Sequence, residues 1–443
     1  MLLVRPILTT LLQFQIYKQK QECNFHNIRK GDLMHIIRKA SKIPVRNRTE
    51  ILVVGGGPAG FGTAVSAARA GAKVTLVEQG GLLGGMWTLG LLSPFFDNWH
   101  HDGLNRELRE KLSLRGAWGG RKEMTFDQNE MVMLLDEYVT SLNIDVLLYT
   151  MGTEPILDEN LLKGIFIQNK SGTQAILADI VIDCTGDGDI AARAGAPFKI
   201  GRETDGAFQP MTMMFKIGGL RKGYNRDDLR SWYDILIQRI PEKEILAEIP
   251  YNNPALITLP RQGEALIQWT HIQQTLGTNA EQLTAATFEG RRQIRKAFEY
   301  FKLVRDQLGD VYLLDLPAVI GVRETRRIIG EYVISDEDVK NGTVQPDTVC
   351  HVRFGVDIHE PCQTEQTCWK HPGFDIPLRS LIPLKIENLM TAGRCISGSF
   401  SAHAAYRVTG DCLKMGEGAG AAATAAINSG CSIRSYSKML RKK

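Results

Sequence analysis

TEILVVGGGPAG (Thr49–Gly60), a following alanine-rich segment, and AKVTLVEQ (Ala72–Gln79) decide the fold. Thr49–Gly56 is an unbroken apolar run closing on glycine, the pattern of a parallel strand buried on both faces. Pro58–Ala70 reads as a helix packed closely on a sheet, with Gly71 ending it, and Ala72–Gln79 reads as the next strand. Strand, glycine turn, helix and strand make a βαβ unit carrying GxGxxG at its turn. In this reading Gly55 permits the tight turn. Gly57 lets backbone approach a diphosphate, Gly60 lets helix lie against strand, and Pro58 and Ala59 open the helix. The helix N-terminus offers unpaired N–H groups to anionic oxygens. Glu78 ends the second strand where an acid accepts from ribose hydroxyls. Dinucleotide binding follows from the set, whereas GxGxxG alone would be weak support.

Downstream segments lengthen the ligand. Gln79–Met86 (QGGLLGGM) is a second glycine loop, in which Gln79, Gly84, Gly85 and Met86 add backbone contacts. Asp179–Cys184 is another buried strand, and it runs into Thr185-Gly186-Asp187. Between them Asp127–Leu142 has helical periodicity. Asp145–Tyr149, Gly164–Gln168 and Gln174–Leu177 read as short strands of a small antiparallel meander. The middle of the chain is richer in charge and aromatics. Strands are expected at Met211–Ile217, Ala265–Thr270 and Val311–Ile320, and helices at Asp227–Gln238 and Glu281–Gln307. Asn388–Ala392 returns to a core-like strand, and Gly410–Ile427 is a small-residue helix of the kind that packs tightly.

The fold class is therefore α/β: a Rossmann-type three-layer dinucleotide-binding domain, discontinuous in sequence, with an inserted mixed α/β substrate domain. The expected divisions are a basic, disordered extension over 1–48, the nucleotide domain over 49–190 and 386–430, the insertion over 191–385, and a basic tail over 431–443.

Bulk composition narrows the class. The 443 residues are 43% hydrophobic and 23% charged, which is ordinary for globular chains and ample for more than one core. A formal charge of +4 is too small to argue for nucleic acid. Eight scattered cysteines with no CxxC fit reduced thiols and a cytoplasmic location. No apolar stretch is long enough to span a bilayer. Met1–Phe14 is apolar but broken by Arg5, and residues 1–48 are rich in Lys and Arg. They read as an extension, with Met34 an alternative start. An organellar or exported location is the alternative if they form a targeting segment.

Taken together, Ile51–Gly60, Glu78–Gly80, Leu83–Met86, DCTGDG (Asp183–Gly188), GVRETRRIIG (Gly321–Gly330), IPLRSLIP (Ile376–Pro383), NLMTAGR (Asn388–Arg394) and GEGAG (Gly416–Gly420) resemble a known family. It is the FAD-dependent oxidoreductases of the glutathione-reductase-like superfamily, in the branch near fumarate reductase flavoproteins. The resemblance implies FAD, non-covalently held, across the N-terminal core and the C-terminal segment. It places Met151 by adenine, Thr185 and Gly186 along the nucleotide, and Gly393 and Arg394 along ribityl and diphosphate. The helix from about Gly410, with Cys412 in its first turn, points at the flavin pyrimidine ring. Clustered cysteines for iron–sulfur centres are missing. His100 and His101 offer a route to covalent attachment, which is the lesser alternative.

The expected reaction is hydride transfer between a small organic substrate, anionic ones included, and flavin N5. His403 is the acid/base candidate, Arg407 an anion clamp and Arg323 a further cavity residue; for each the alternative is a structural role. Arg326, Arg327 and Arg379 read as members of ion-pair networks. His359, Cys362, Cys368 and His371 carry zinc-compatible ligand types at unusual spacing, and no metal is assigned to them. Asp187 and Asp189 read as caps of a helix over Ile190–Gly195. A flavin monooxygenase using NAD(P)H and oxygen, and a non-catalytic electron-carrier subunit with an unidentified partner, are the competing functions.

Overall fold

Ile51–Val54, all buried, lie at the centre of the main sheet. In the computed structural model, which describes residues 42–442, this sheet contains β1 (Val45–Val54), β2 (Val74–Val77), β3 (Asp145–Leu147), β4 (Met151–Asp158), β5 (Leu161–Asn169), β6 (Gly172–Asp183) and β7 (Leu389–Thr391). The order is β3-β2-β1-β6-β5-β4, with β7 also on β6. Pairs among β3, β2, β1, β6 and β7 are parallel, so β3, expected in the meander, is instead a parallel edge strand on β2, and β4, β5 and β6 form the antiparallel meander. Val54 pairs with Val77 on one side and Asp183 on the other. Gly55, Glu78 and Cys184 therefore leave the sheet at one carboxyl edge, where open α/β sheets take ligands.

Two boundaries differ from the sequence reading. β1 begins at Val45, so the end of the expected extension is strand: Arg46 ion-pairs with Asp145 of β3 at 2.6 Å, which ties the polar start of β1 to the sheet. The rest of that expected extension, over 1–41, lies outside the described residues. β6 is one long strand where two were expected, because its first half pairs with β5 and its stretch from Ala175 to Asp183 follows β1.

α1 (Pro58–Arg69) is covered by α4 (Thr409–Asn428), and glycine sets their spacing. A Cβ at Gly416 would sit 2.1 Å from the Ala59 carbonyl oxygen, and one at Gly420 would sit 2.3 Å from that of Thr63. The small-residue run in α4 is thus the contact face. Ser66 Oγ donates to the Glu417 carbonyl across it at 2.8 Å.

A second core is built around an antiparallel sheet ordered Ala255–Thr258, Ala265–Gln268, Phe215–Gly218 and Tyr312–Asp315. The helix Ala280–Leu303 packs on it through Ala286, Ile294, Ala297 and Phe301, with Trp232 and Trp269 filling the layer. Residues beyond Ile320 belong elsewhere: Ile334, Val352, Ile376 and Leu381 join the core beside α1 and α4. The expected basic tail is a helix, α5 (Ile433–Leu440). Its Ile433 enters the main core, and Arg434 ion-pairs with Glu331 and Glu387, both at 2.7 Å. Among the described residues no helix is long and apolar enough to cross a membrane.

Candidate functional site

A cavity of about 1000 Å³ opens along the carboxyl edge of the parallel strands. Single-ligand pockets run to about that size, so it suits a large ligand. Its first stretch of wall is the glycine turn. Gly55 has φ +100°, a conformation that favours glycine, and a Cβ there would strike the Cys184 carbonyl. At Gly60 a Cβ would lie 1.8 Å from the Gly55 oxygen. At Gly57 it would meet nothing within 4 Å, because that face looks into the cavity. Gly57 is the N-cap of α1 with no side-chain cap, and Pro58 is the first helical residue. Open space in front of uncapped helical N–H groups is what a diphosphate requires.

Glu78 is buried on the same wall and orders the neighbouring loops. Its carboxylate accepts from Gly56 N and Gly80 N, both at 2.6 Å, one bond to each oxygen. Each oxygen keeps a lone pair for a sugar hydroxyl. Gln79, Gly85, Met86, Met151, Thr185 and Gly186 also line the cavity. Gly84 does not; at φ +100° it shapes the loop, and its N–H donates to Gly56 at 2.7 Å.

Further along, Gly393, Arg394, Val408, Thr409 and Cys412 form the wall. The last three belong to the N-terminal end of α4, where no side chain caps the helix. Arg394 faces protein groups with its donors: Nε meets the Gly186 carbonyl at 3.0 Å, Nη2 meets Asp187 at 2.6 Å, and Nη1 meets the Val322 carbonyl. Asp187 is thereby a partner of Arg394 and of the Thr325 hydroxyl, and Asp189 a partner of Arg326. The cap expected from them comes instead from Asp183, which accepts from Ile190 N and Ala191 N at 2.8 and 2.9 Å at the start of α2 (Asp189–Arg193).

Another part of the wall is cationic. Arg323, Arg407, Asp357 and His359 line it. Arg323 donates to the Pro210 carbonyl at 2.8 Å and the Thr212 hydroxyl at 2.6 Å. Burial, with Arg407 nearby, lowers its pKa to about 10. Arg407 donates to Gln209 Oε1 at 3.2 Å and to the Asp357 carbonyl at 2.9 Å, and burial lowers its pKa also. The Asp357 carboxylate stands 3.7 Å from Arg407 Nη2 and 3.8 Å from His359 Nε2. Burial, reinforced by Arg323, Arg407 and His271, holds His359 well below the usual histidine value and so neutral. Four polar atoms here are buried without a protein partner: Gln209 Nε2, His359 Nδ1, Arg407 Nε and Thr409 Oγ1. Behind them His271 stacks on Tyr251 at 4.7 Å, with both ring nitrogens unpartnered.

Several expected residues lie elsewhere. His403 is wholly buried in α3 (Phe400–Tyr406), edge-on to Tyr406 at 5.7 Å, and is not on the cavity wall. Burial holds it neutral and both its ring nitrogens lack partners. It has no path to a proton in the cavity, and His359 occupies the position expected of it. His100 and His101 do not line the cavity either, so covalent attachment through them has no geometric support; His101 Nε2 is 2.8 Å from Asp411. Arg327 and Glu324 form a buried pair that the Gly201 and Gln209 backbone N–H groups and the Gly201 and Gly398 carbonyls complete. Arg379 binds Asp347 and Gln345. His359, Cys362, Cys368 and His371 do not converge: His359 is buried, the two cysteines are exposed, and His371 donates to or accepts from backbone of its own segment. Gln209 and His271 were not anticipated from sequence. Neither sits in a motif, and only the fold brings them beside residue 359.

The family model for FAD dependent oxidoreductase matches residues 50–439. Among solved structures, a geranylgeranyl bacteriochlorophyll reductase-like protein from Thermoplasma acidophilum superposes with a TM-score of 0.50 at 15% identity, covering 89% of this chain and 84% of that one. A flavin-dependent brominase superposes with a TM-score of 0.50 at 10% identity, covering 89% and 83%. At such identity these likenesses speak for the fold alone. No curated protein matches in sequence. The glycine cradle open at Gly57, the acid at Glu78 and the match over nearly the whole chain agree: this chain belongs to the FAD-dependent oxidoreductase family and is a flavoenzyme whose cofactor is FAD.

Proposed function

We propose that the enzyme transfers a hydride between a small carboxylate-bearing substrate and flavin N5, with Arg323 and Arg407 binding the carboxylate and His359 handling the proton. When bound, FAD supplies the hydride acceptor or donor. The observation that carries the reading is the set of unpartnered buried polar atoms around two arginines. Asp357 is the one carboxylate beside them on that wall, so the wall retains positive charge. Buried donors without partners are costly, by about 1–3 kcal/mol each, and an anionic ligand removes the cost.

Gln209 and the Asp357 carbonyl fix Nη2 of Arg407, a residue of the cavity wall, while its Nε is buried without a partner. Arg323 is held by Pro210 and Thr212. Neither guanidinium needs to reorganise to receive a carboxylate. An anion between them also offsets the positive charge that depresses His359, which raises its proton affinity when substrate is present. Thr212 then reaches the substrate from the second core, and Arg323 and His359 from the segment after Ile320.

The test is anaerobic mixing of the yellow holoenzyme with α-hydroxy and α-amino carboxylates and with their amides. Bleaching of the flavin by carboxylates, with amides inert, is the expected result. Arg407→Met should raise KM for the carboxylate far more than it changes flavin content. Bleaching indifferent to the carboxylate, or turnover only with NAD(P)H and oxygen uptake, would overturn the reading in favour of another class of flavoenzyme.

A further inference from the structure

Apart from the cavity, a nest of metal-ligating side chains lies behind its wall. Three segments meet there: the loop Asp97–His101, the strand Thr348–Val352 through Cys350, and the first turn of α4 through Asp411. His101 Nε2 is 2.8 Å from Asp411 Oδ1, Cys350 Sγ is 3.7 Å from the same oxygen, and Cys350 Sγ is 4.0 Å from His101 Nε2. All three residues are buried, Asp411 completely. Asp97 and His100 adjoin the group, with His100 Nδ1 3.3 Å from Asp97 Oδ1.

We propose that His101, Cys350 and Asp411 bind a divalent transition metal of zinc's class as its three protein donors. Zinc takes nitrogen, sulfur and carboxylate oxygen at about 2.0–2.3 Å, so donors of a tetrahedral site lie about 3.3–3.6 Å apart. The separations here bracket that range, and adjustments of about half an ångström would meet it. Hydrogen bonding alone leaves the nest incomplete, because Asp411 Oδ2 is buried with no partner and His100 Nδ1 has no hydrogen bond. The Asp97 carboxylate is held by the Arg353 and Phe354 N–H groups, but Asp411 is completely buried and, among the described residues, no lysine or arginine ion-pairs with it. A dication answers both deficits. With Cys350 as thiolate and Asp411 as carboxylate its charge is neutralised, and binding releases the thiol proton.

Its place gives it a role. Phe96, next to the loop, and Thr409 and Cys412, flanking Asp411, line the cavity. The loop packs so closely on α4 that a Cβ at Gly410 would lie 2.3 Å from the Phe96 carbonyl oxygen. A metal here staples loop, strand and helix start together, and thereby fixes the cavity wall at the α4 N-terminus.

The experiment is elemental analysis and X-ray absorption on holoenzyme loaded with zinc and then desalted. Stoichiometric zinc with one sulfur scatterer at about 2.3 Å is expected. That sulfur shell should vanish in Cys350→Ser and persist in Cys368→Ser, a control at an exposed thiol. Wild-type protein that retains no zinc, zinc without a sulfur neighbour, or a sulfur shell surviving in a flavin-loaded Cys350→Ser would each overturn the assignment. The wild-type measurement decides the matter even if Cys350→Ser does not fold.

Discussion

Replacing Gly57 by alanine separates the fold from the cofactor site, since the two make opposite demands at that position. Its backbone has φ −68° and ψ −174°, extended geometry that alanine adopts without strain. A built Cβ finds no atom within 4 Å. Flavin-free Gly57→Ala should therefore be as stable as wild type, or more so by about 0.4–1 kcal/mol through a less flexible unfolded chain. With FAD the methyl enters the space that the diphosphate needs against the first turn of α1. Displacing it from two backbone N–H groups, at about 1.5–3 kcal/mol for each charge-assisted bond, costs about 3–6 kcal/mol. That corresponds to affinity weakened by about a hundred- to ten-thousand-fold. Gly60→Ala is the contrast, because its Cβ would lie 1.8 Å from the Gly55 oxygen and the βα turn itself must open. Urea unfolding of stripped protein and quenching of FAD fluorescence on titration give the two quantities. Wild-type affinity for FAD in Gly57→Ala would refute the placement of the diphosphate, whatever the stability.

Burial lowers the pKa of His271 from 6.5 to about 3, with Arg323 adding to the effect. The unfolded chain therefore binds the proton first, and the contribution is intact above pH 6.5 and lost as pH falls toward 3. His271→Gln should flatten the acid limb of a stability–pH curve by about 1.4 kcal/mol per pH unit in that window, measured by denaturant midpoints. Gly416→Ala drives a methyl into the Ala59 carbonyl and should cost about 3 kcal/mol or more, read as a lowered melting temperature with flavin released early. Arg407→Met removes a charged donor facing the cavity and should raise KM for a carboxylate substrate about ten- to a hundredfold, measured in steady state against wild type.

The nucleotide half of the site was readable because each of its residues answers a local demand. Gly55, Gly57 and Gly60 are fixed by one βα turn, and Glu78 by the end of the adjacent strand, so a short window of sequence contains the whole argument. The small-residue run of α4 was equally plain, since helices packed as closely as Gly416 on Ala59 leave no room for side chains. Strand ends were less legible. The polar start of β1 looks unstructured until Arg46 is seen against Asp145, a partner far along the chain. The C-terminal basic segment hid a helix because its anchors, Glu331 and Glu387, are likewise distant.

The choice between His403 and His359 shows why the substrate half was illegible. His403 and Arg407 stand one helical turn apart, a spacing that suggests a shared face. α3 ends at Tyr406, however, and Arg407 is its C-cap. The chain turns there, sending Arg407 to the cavity while His403 stays in the core. His359 reaches the same cavity from a strand in another segment, and its partner Gln209, which accepts from the His359 N–H and from Arg407, comes from a third. The resemblance points to Arg407, but nothing local distinguishes Gln209 from an ordinary structural residue. What they share is that His359 Nδ1, Gln209 Nε2 and Arg407 Nε are all buried and unpaired, with His359 and Arg407 on the cavity wall and Gln209 bonded to both. Such a deficit, about 1–3 kcal/mol for each atom, is one that a ligand can remove where it adjoins a cavity. The proposed substrate position therefore rests on Arg323 and Arg407 together on the cavity wall, with these unsatisfied atoms on or beside their segments, rather than on any motif.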